Sequence, residues 1–197
     1  EYISFVCTKM SLPPLFPLLE EEEKILKTLS SSKRKREFMI GRSCAHHALE
    51  KFELESKPIL KNIKTKEPCW PQGIRGSITH SGKYAAVAVG KVDDISGIGI
   101  DLECLSRVVD FNISRHVCVE KELDWLKSLS PDQATRGLRI IFSAKESIFK
   151  CLFPLSKTHL YFKDATVIVD EANSEFNFTL SRECPGVTEA GFQHSGK

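Results

Sequence analysis

The chain has 197 residues, 41% hydrophobic and 27% charged, with a formal net charge of +2. That is enough chain to bury a core as one domain or two small halves, and it excludes fibrous and disordered classes. So small a charge gives no bulk field to attract nucleic acid or a membrane surface, and no apolar run approaches the ~20 residues of a membrane span.

The opening segment EYISFVCTKMSLPPLFPLLEEEE has no basic stretch followed by an uninterrupted apolar one, so it does not read as a signal peptide. The start at Glu1, and the stop at GFQHSGK just after a strand-like run, suggest a chain truncated at both ends. Seven scattered cysteines without a CxxC pair argue against a zinc site or disulfide framework. They read as reduced thiols, several of them buried, in a cytoplasmic protein.

Residues 20–29 begin with four glutamates, which suit a helix N-terminus. A second helix is expected over 33–52 with Ser32 as its N-cap. Its apolar stripe is Phe38, Ala45, Leu49 and Phe52. Arg42 falls inside that stripe, so its guanidinium needs an anion, either an internal carboxylate or a ligand phosphate. Arg36 points away from the stripe and reads as solvated. Residues 56–76 are rich in proline and glycine and read as loop.

SITH (77–80) and YAAVAVG (84–90) flank SGK and form a hairpin. A polar turn over 91–96 leads into GIGIDLECL (97–105), which reads as a strand burying Ile98, Ile100 and Leu102. Residues 111–152 are mostly helical. Leu123, Leu126 and Leu129 share a face, SPDQ (130–133) opens a helix, and Ser143 with Glu146 reads as the capping box of a further helix that Pro154 soon stops. ATVIVDE and EFNFTLSRE form a final strand pair. No internal repeat is evident, and the order of elements favours an α+β fold.

Three groups of residues carry chemistry. On the 97–105 strand, Asp101 and Glu103 share one face after Gly99, a pair of hard oxygen donors suited to Mg²⁺ or simply a solvent face. Glu146 and Lys150 share one helical face, where the glutamate can complete a metal site and the lysine can hold phosphate. His80 sits among Thr79, Ser81 and Gly82, whose hydroxyls and turn N–H groups can bind an anion. There is no Walker loop, GxGxxG or GxSxG.

GRSCAHHAL (41–49), EPCWPQGIRGSITHSG (67–82), GIGIDLE (97–103) and FSAKESIFK (142–150) together resemble the 4'-phosphopantetheinyl transferase superfamily, nearest to the enterobactin synthetase component D and surfactin-type group. The resemblance spans about residues 33–155. It implies transfer of the phosphopantetheine arm of coenzyme A to a serine of an apo acyl or peptidyl carrier protein, with release of adenosine 3',5'-bisphosphate. It implies Mg²⁺ on the pyrophosphate with Asp101, Glu103 and Glu146 as ligands. His80, Thr79 and Lys150 then face coenzyme A phosphates.

Glu122 aligns with a glutamate that helps deprotonate the carrier serine, a role for which Glu146 competes. Relatives carry Gly-Lys-Pro where this chain has Lys66-Glu67-Pro68. Lys66 is therefore shifted by one, and Arg42 is the stronger candidate for the 3'-phosphate. The implied fold is a pseudo-dimer of two similar α+β halves, about 1–95 and 96–197, with the active site in the cleft between them. It suggests a monomer, and a siderophore pathway for the carrier. The competing readings are a non-catalytic binder of coenzyme A or a carrier domain, and an unrelated metal-dependent phosphohydrolase.

Overall fold

The computed structural model describes residues 2–106 and 110–197. Its contacts gather into two units, Glu1–Leu102 and Glu103–Lys197, each with a three-stranded antiparallel sheet and one long helix. The mixed helix and sheet content is that of an α+β protein.

The first unit holds β1 (Ile3–Lys9), α1 (Glu20–Thr28), α2 (Ser32–Glu50), β2 (Ile74–Ser81) and β3 (Tyr84–Lys91), with sheet order β1-β3-β2. The expected hairpin is present. Gly82 at φ 58° supplies the left-handed turn residue, and β2 starts earlier than expected, at Ile74. The sequence reading has no strand at β1. There the alternation is inverted, since Ser4 and Thr8 are buried while Ile3 and Phe5 face out, so polarity hides the pattern.

Helix α2 is capped by Ser31, whose Oγ accepts from Arg34 N–H, one residue before the expected cap. It packs Ile40, Cys44, Ala45, Ala48 and Leu49 against Ile74, Ala85, Val87 and Val89. Arg36 is not a free solvated charge. Its Nε donates to Met10 O at 2.5 Å and its Nη2 to Leu12 O, tying the chain after β1 to the helix.

The segment 97–105 is not a strand. Ile98, Ile100 and Leu102 are only half-buried, and no ladder forms. Instead Ile100 N–H donates to Ser77 Oγ at 3.1 Å, and Asp101 Oδ1 accepts from Thr79 Oγ1 at 3.1 Å. The Ser77 hydroxyl thus satisfies a backbone N–H that a neighbouring strand would otherwise satisfy, and the Thr79 hydroxyl holds the Asp101 side chain.

The second unit runs through α3 (Ser114–Val117), α4 (Glu120–Lys127), α5 (Pro131–Ser156), β4 (Ala165–Asp170), β5 (Glu175–Leu180) and β6 (Gln193–Gly196), with sheet order β4-β5-β6. The last strand is a further addition to the sequence reading. Ser130 opens α5 as expected, with Gln133 reaching back to its N–H. No helix starts at Ser143. Leu138, Ile141, Ala144, Lys145, Ile148 and Leu152 continue one buried stripe through it, so α5 is a single helix of 26 residues. Pro154 lies inside its last turn, and Lys157 at φ 56° ends it.

The stripe faces Leu160, Ala165, Val167, Phe178 and Leu180, while Leu126 and Val117 cover its first turns. None of the seven cysteines is in a disulfide, and among the described residues no helix is long and apolar enough to cross a membrane.

Candidate active site

In the first unit, β2 delivers two neighbouring side chains to opposite faces of the sheet. Thr79 is buried and its hydroxyl orients the Asp101 carboxylate. His80 is partly exposed, with Nδ1 3.6 Å from Glu37 Oε1 of α2. Arg42 is buried as its place in the stripe requires. Its Nε donates to Ile59 O at 2.5 Å and its guanidinium lies 4.9 Å from the centre of the Phe38 ring. Burial lowers its pKa, and the Glu22 carboxylate opposes that shift. Lys66 is exposed in a turn, in the left-handed conformation at φ 66°.

The sequence reading missed Glu22 and His46. Glu22 is the N3 residue of α1 and is fully buried. Its carboxylate accepts from Leu19 N–H at 3.0 Å and Ile59 N–H at 2.8 Å, and meets His46 Nε2 at 2.9 Å. Burial alone would raise the Glu22 pKa; the hydrogen bonds and the His46 charge outweigh it and hold it below its ordinary value. The available signals were a glutamate three residues after a helix start and a histidine on the α2 core face.

In the second unit, Glu146 and Lys150 are half-buried one turn apart on α5, and Glu103, the first residue of the unit, is half-buried. Glu146 lines a cavity of about 340 Å³ with His116, Phe149, His159, Tyr161 and Phe162. Its neighbour Lys145, also missed from sequence, is 3% exposed. Lys145 Nζ lies 2.7 Å from Glu122 Oε2 and donates to Val117 O at 2.9 Å. Glu122 is 2% exposed, and its carboxylate also accepts from Val119 N–H at 2.8 Å and Val167 N–H at 2.7 Å.

Among the described residues no three His, Cys, Asp or Glu side chains are gathered as a metal cage. The donors singled out, Asp101, Glu103 and Glu146, are nonetheless the hard carboxylate oxygens that Mg²⁺ takes, and Asp101 is held in place by the Thr79 hydroxyl.

An α+β protein carrying Asp101, Glu103 and Glu146 as hard oxygen donors is of a class suited to phosphate chemistry. Residues 20–90 match the 4'-phosphopantetheinyl transferase N-terminal domain, and residues 97–188 match the 4'-phosphopantetheinyl transferase superfamily. The chain belongs to that superfamily.

It is 37% identical over 155 residues to 4'-phosphopantetheinyl transferase PptT of Mycobacterium tuberculosis, covering 79% of this chain and 66% of that protein. It is 34% identical over 177 residues to 4'-phosphopantetheinyl transferase Npt of Nocardia iowensis, covering 87% and 77%. With enterobactin synthase component D of Salmonella typhimurium it shares 32% over 120 residues, covering 60% and 48%. The chain thus spans between about half and three quarters of the length of these relatives.

Proposed function

We propose that this chain is a 4'-phosphopantetheinyl transferase that moves the phosphopantetheine arm of coenzyme A onto a serine of an apo carrier protein. The observation that carries the reading is superfamily membership extending through both units; the presence of Thr79, Asp101, Glu146 and Lys150 in the matched stretches of sequence supports it. The serine Oγ attacks the pyrophosphate phosphorus nearest the pantetheine. The P–O bond to the nucleotide breaks, and adenosine 3',5'-bisphosphate leaves.

Asp101, Glu103 and Glu146 are the residues that would hold Mg²⁺, which supplies charge neutralisation on the pyrophosphate when bound. His80 and Lys150 hold phosphate oxygens. Arg42, with Lys66 as the weaker candidate, sits on the 3'-phosphate side. Lys33, Arg34 and Lys35 in the first turn of α2, at its positive end, favour an anion there. Glu146 takes the serine proton, since its carboxylate borders an open cavity whose apolar lining suits the pantetheine arm. The two units are read as the halves of a pseudo-dimer with the active site between them, acting as a monomer in the cytoplasm. A peptidyl carrier of a siderophore pathway is the first carrier to try.

The test is transfer from coenzyme A to a panel of apo carriers, followed by intact mass with and without a Mg²⁺ chelator. Chelator-sensitive modification of a serine is expected. Tight coenzyme A binding without transfer to any carrier would leave a binding module instead, and cleavage of coenzyme A without a carrier would indicate a phosphohydrolase.

A further inference from the structure

The two units repeat one buried device. Residues 19–29, LEEEEKILKTL, and 119–129, VEKELDWLKSL, lie 100 positions apart and are identical at five of eleven positions. In each, the third helical residue is a buried glutamate, Glu22 or Glu122. One oxygen accepts the N–H just before the helix, from Leu19 or Val119. The other accepts an N–H from beyond the long helix, Ile59 or Val167. A basic side chain of the long helix completes the set, His46 on α2 or Lys145 on α5.

We propose that Glu122 with Lys145 is a positioning pair that fixes the turn of α5 bearing Glu146 and Lys150, and that Glu122 does not accept the carrier serine's proton. The inference rests on the transferase reading for what those two residues do. A proton acceptor needs a lone pair that the substrate hydroxyl can reach. Both Glu122 oxygens are committed to N–H donors, and its side chain is 1% exposed.

The first unit shows that the same bonding arises where no transfer chemistry is assigned to the glutamate. At Glu22 it serves to bury a short helix end and fasten it to the long helix. In the second unit, Lys145 reaches both Glu122 and Val117 O, which ties α5 to the ends of α3 and α4. Glu146 is the next residue in the chain, so fixing Lys145 fixes the direction in which Glu146 meets the cavity.

The experiment compares E122Q, K145M and the double variant E122Q/K145M in the transfer assay, with KM for coenzyme A and kcat separated. Loss of a general base costs ~10²- to 10⁴-fold in kcat, and no change at Lys145 restores it. A broken buried ion pair is relieved when both partners become neutral. We expect the singles to lose at least about tenfold in kcat, and the double to recover to within about threefold of the unsubstituted protein, as coupled neighbours do. A folded, coenzyme A-binding double variant as inactive as E122Q overturns the proposal.

If the variants do not fold, K145R decides. The charged or thiol groups near the pair are Cys118 and Lys163. A kcat–pH profile of K145R superimposed on that of the unsubstituted protein supports positioning, and a shifted acidic limb overturns it. Amide hydrogen exchange across 142–150 reads the pair without turnover. Faster exchange in K145R, or in a folded single variant with protection restored in the double, supports it even if the unsubstituted protein transfers nothing, a result that would remove only the transferase reading. Unchanged exchange in every variant overturns it.

Discussion

His46→Leu removes the basic partner from a carboxylate that no water reaches. In the unsubstituted protein the Glu22 pKa lies below 4.5 although burial opposes this, because hydrogen bonds from His46, Leu19 N–H and Ile59 N–H together with the His46 charge prevail. A folded-state value below the unfolded one stabilises above about pH 4.5, and that stability is lost as pH falls through the folded value.

In the H46L variant the leading opposing contribution is gone, burial dominates, and the folded value rises above the unfolded one. The sign then reverses: the variant is penalised at neutral pH, and the penalty shrinks as pH falls. Breaking a buried pair costs about 3–5 kcal/mol. At an m value of about 2 kcal/mol/M that lowers the urea midpoint by roughly 2 M at neutral pH. The loss at about pH 5 is therefore expected to be smaller than the loss at neutral pH.

The two tryptophans make the assay specific. Trp70 belongs to the first unit and Trp125 to the second, so fluorescence in a Trp125→Phe background follows the unit that holds Glu22. A loss below about 1 kcal/mol, or one identical at both pH values, would refute the reasoning.

Asp101→Ala is expected to abolish transfer and weaken metal-dependent coenzyme A binding by calorimetry; near-normal turnover would remove Asp101 from the metal set. Arg42→Ala is expected to weaken coenzyme A more than 3'-dephospho-coenzyme A, and to destabilise by about 1–3 kcal/mol because the buried Ile59 carbonyl loses its donor. Equal affinity losses for the two ligands would reject the 3'-phosphate role. Gly76→Ala would bring a Cβ to 2.5 Å from the Trp70 ring and 2.8 Å from Val89, so thermal denaturation should show a loss of about 1–3 kcal/mol. Burial raises the Cys44 and Cys118 thiols to about 11, whereas Cys7 and Cys69 are exposed. Mass spectrometry after brief maleimide treatment should find label on the exposed pair and none on the buried one.

The sequence by itself determined what local chemistry dictates. The hairpin followed from its turn residues, the start of α5 from Ser130 and Gln133, and the inward direction of Arg42 from helical period. The four motifs that mark the superfamily were likewise legible as strings.

Only the tertiary structure decided three further matters. Ser143 and Glu146 match a helix start, yet the apolar stripe on either side continues, and packing against β4 and β5 outweighs a cap that is not needed. Apolar Ile98, Ile100 and Leu102 alternate with Gly99, Asp101 and Glu103 as a strand would, but the Ser77 hydroxyl takes the Ile100 N–H and the Thr79 hydroxyl holds the Asp101 carboxylate, and no ladder forms. Glu22 and Glu122 look like the solvated glutamates around them. Their burial depends on basic residues 24 and 23 positions away and on N–H groups still farther along the chain. The cost of desolvating a charge is met only when those distant partners converge, and no local pattern records that convergence.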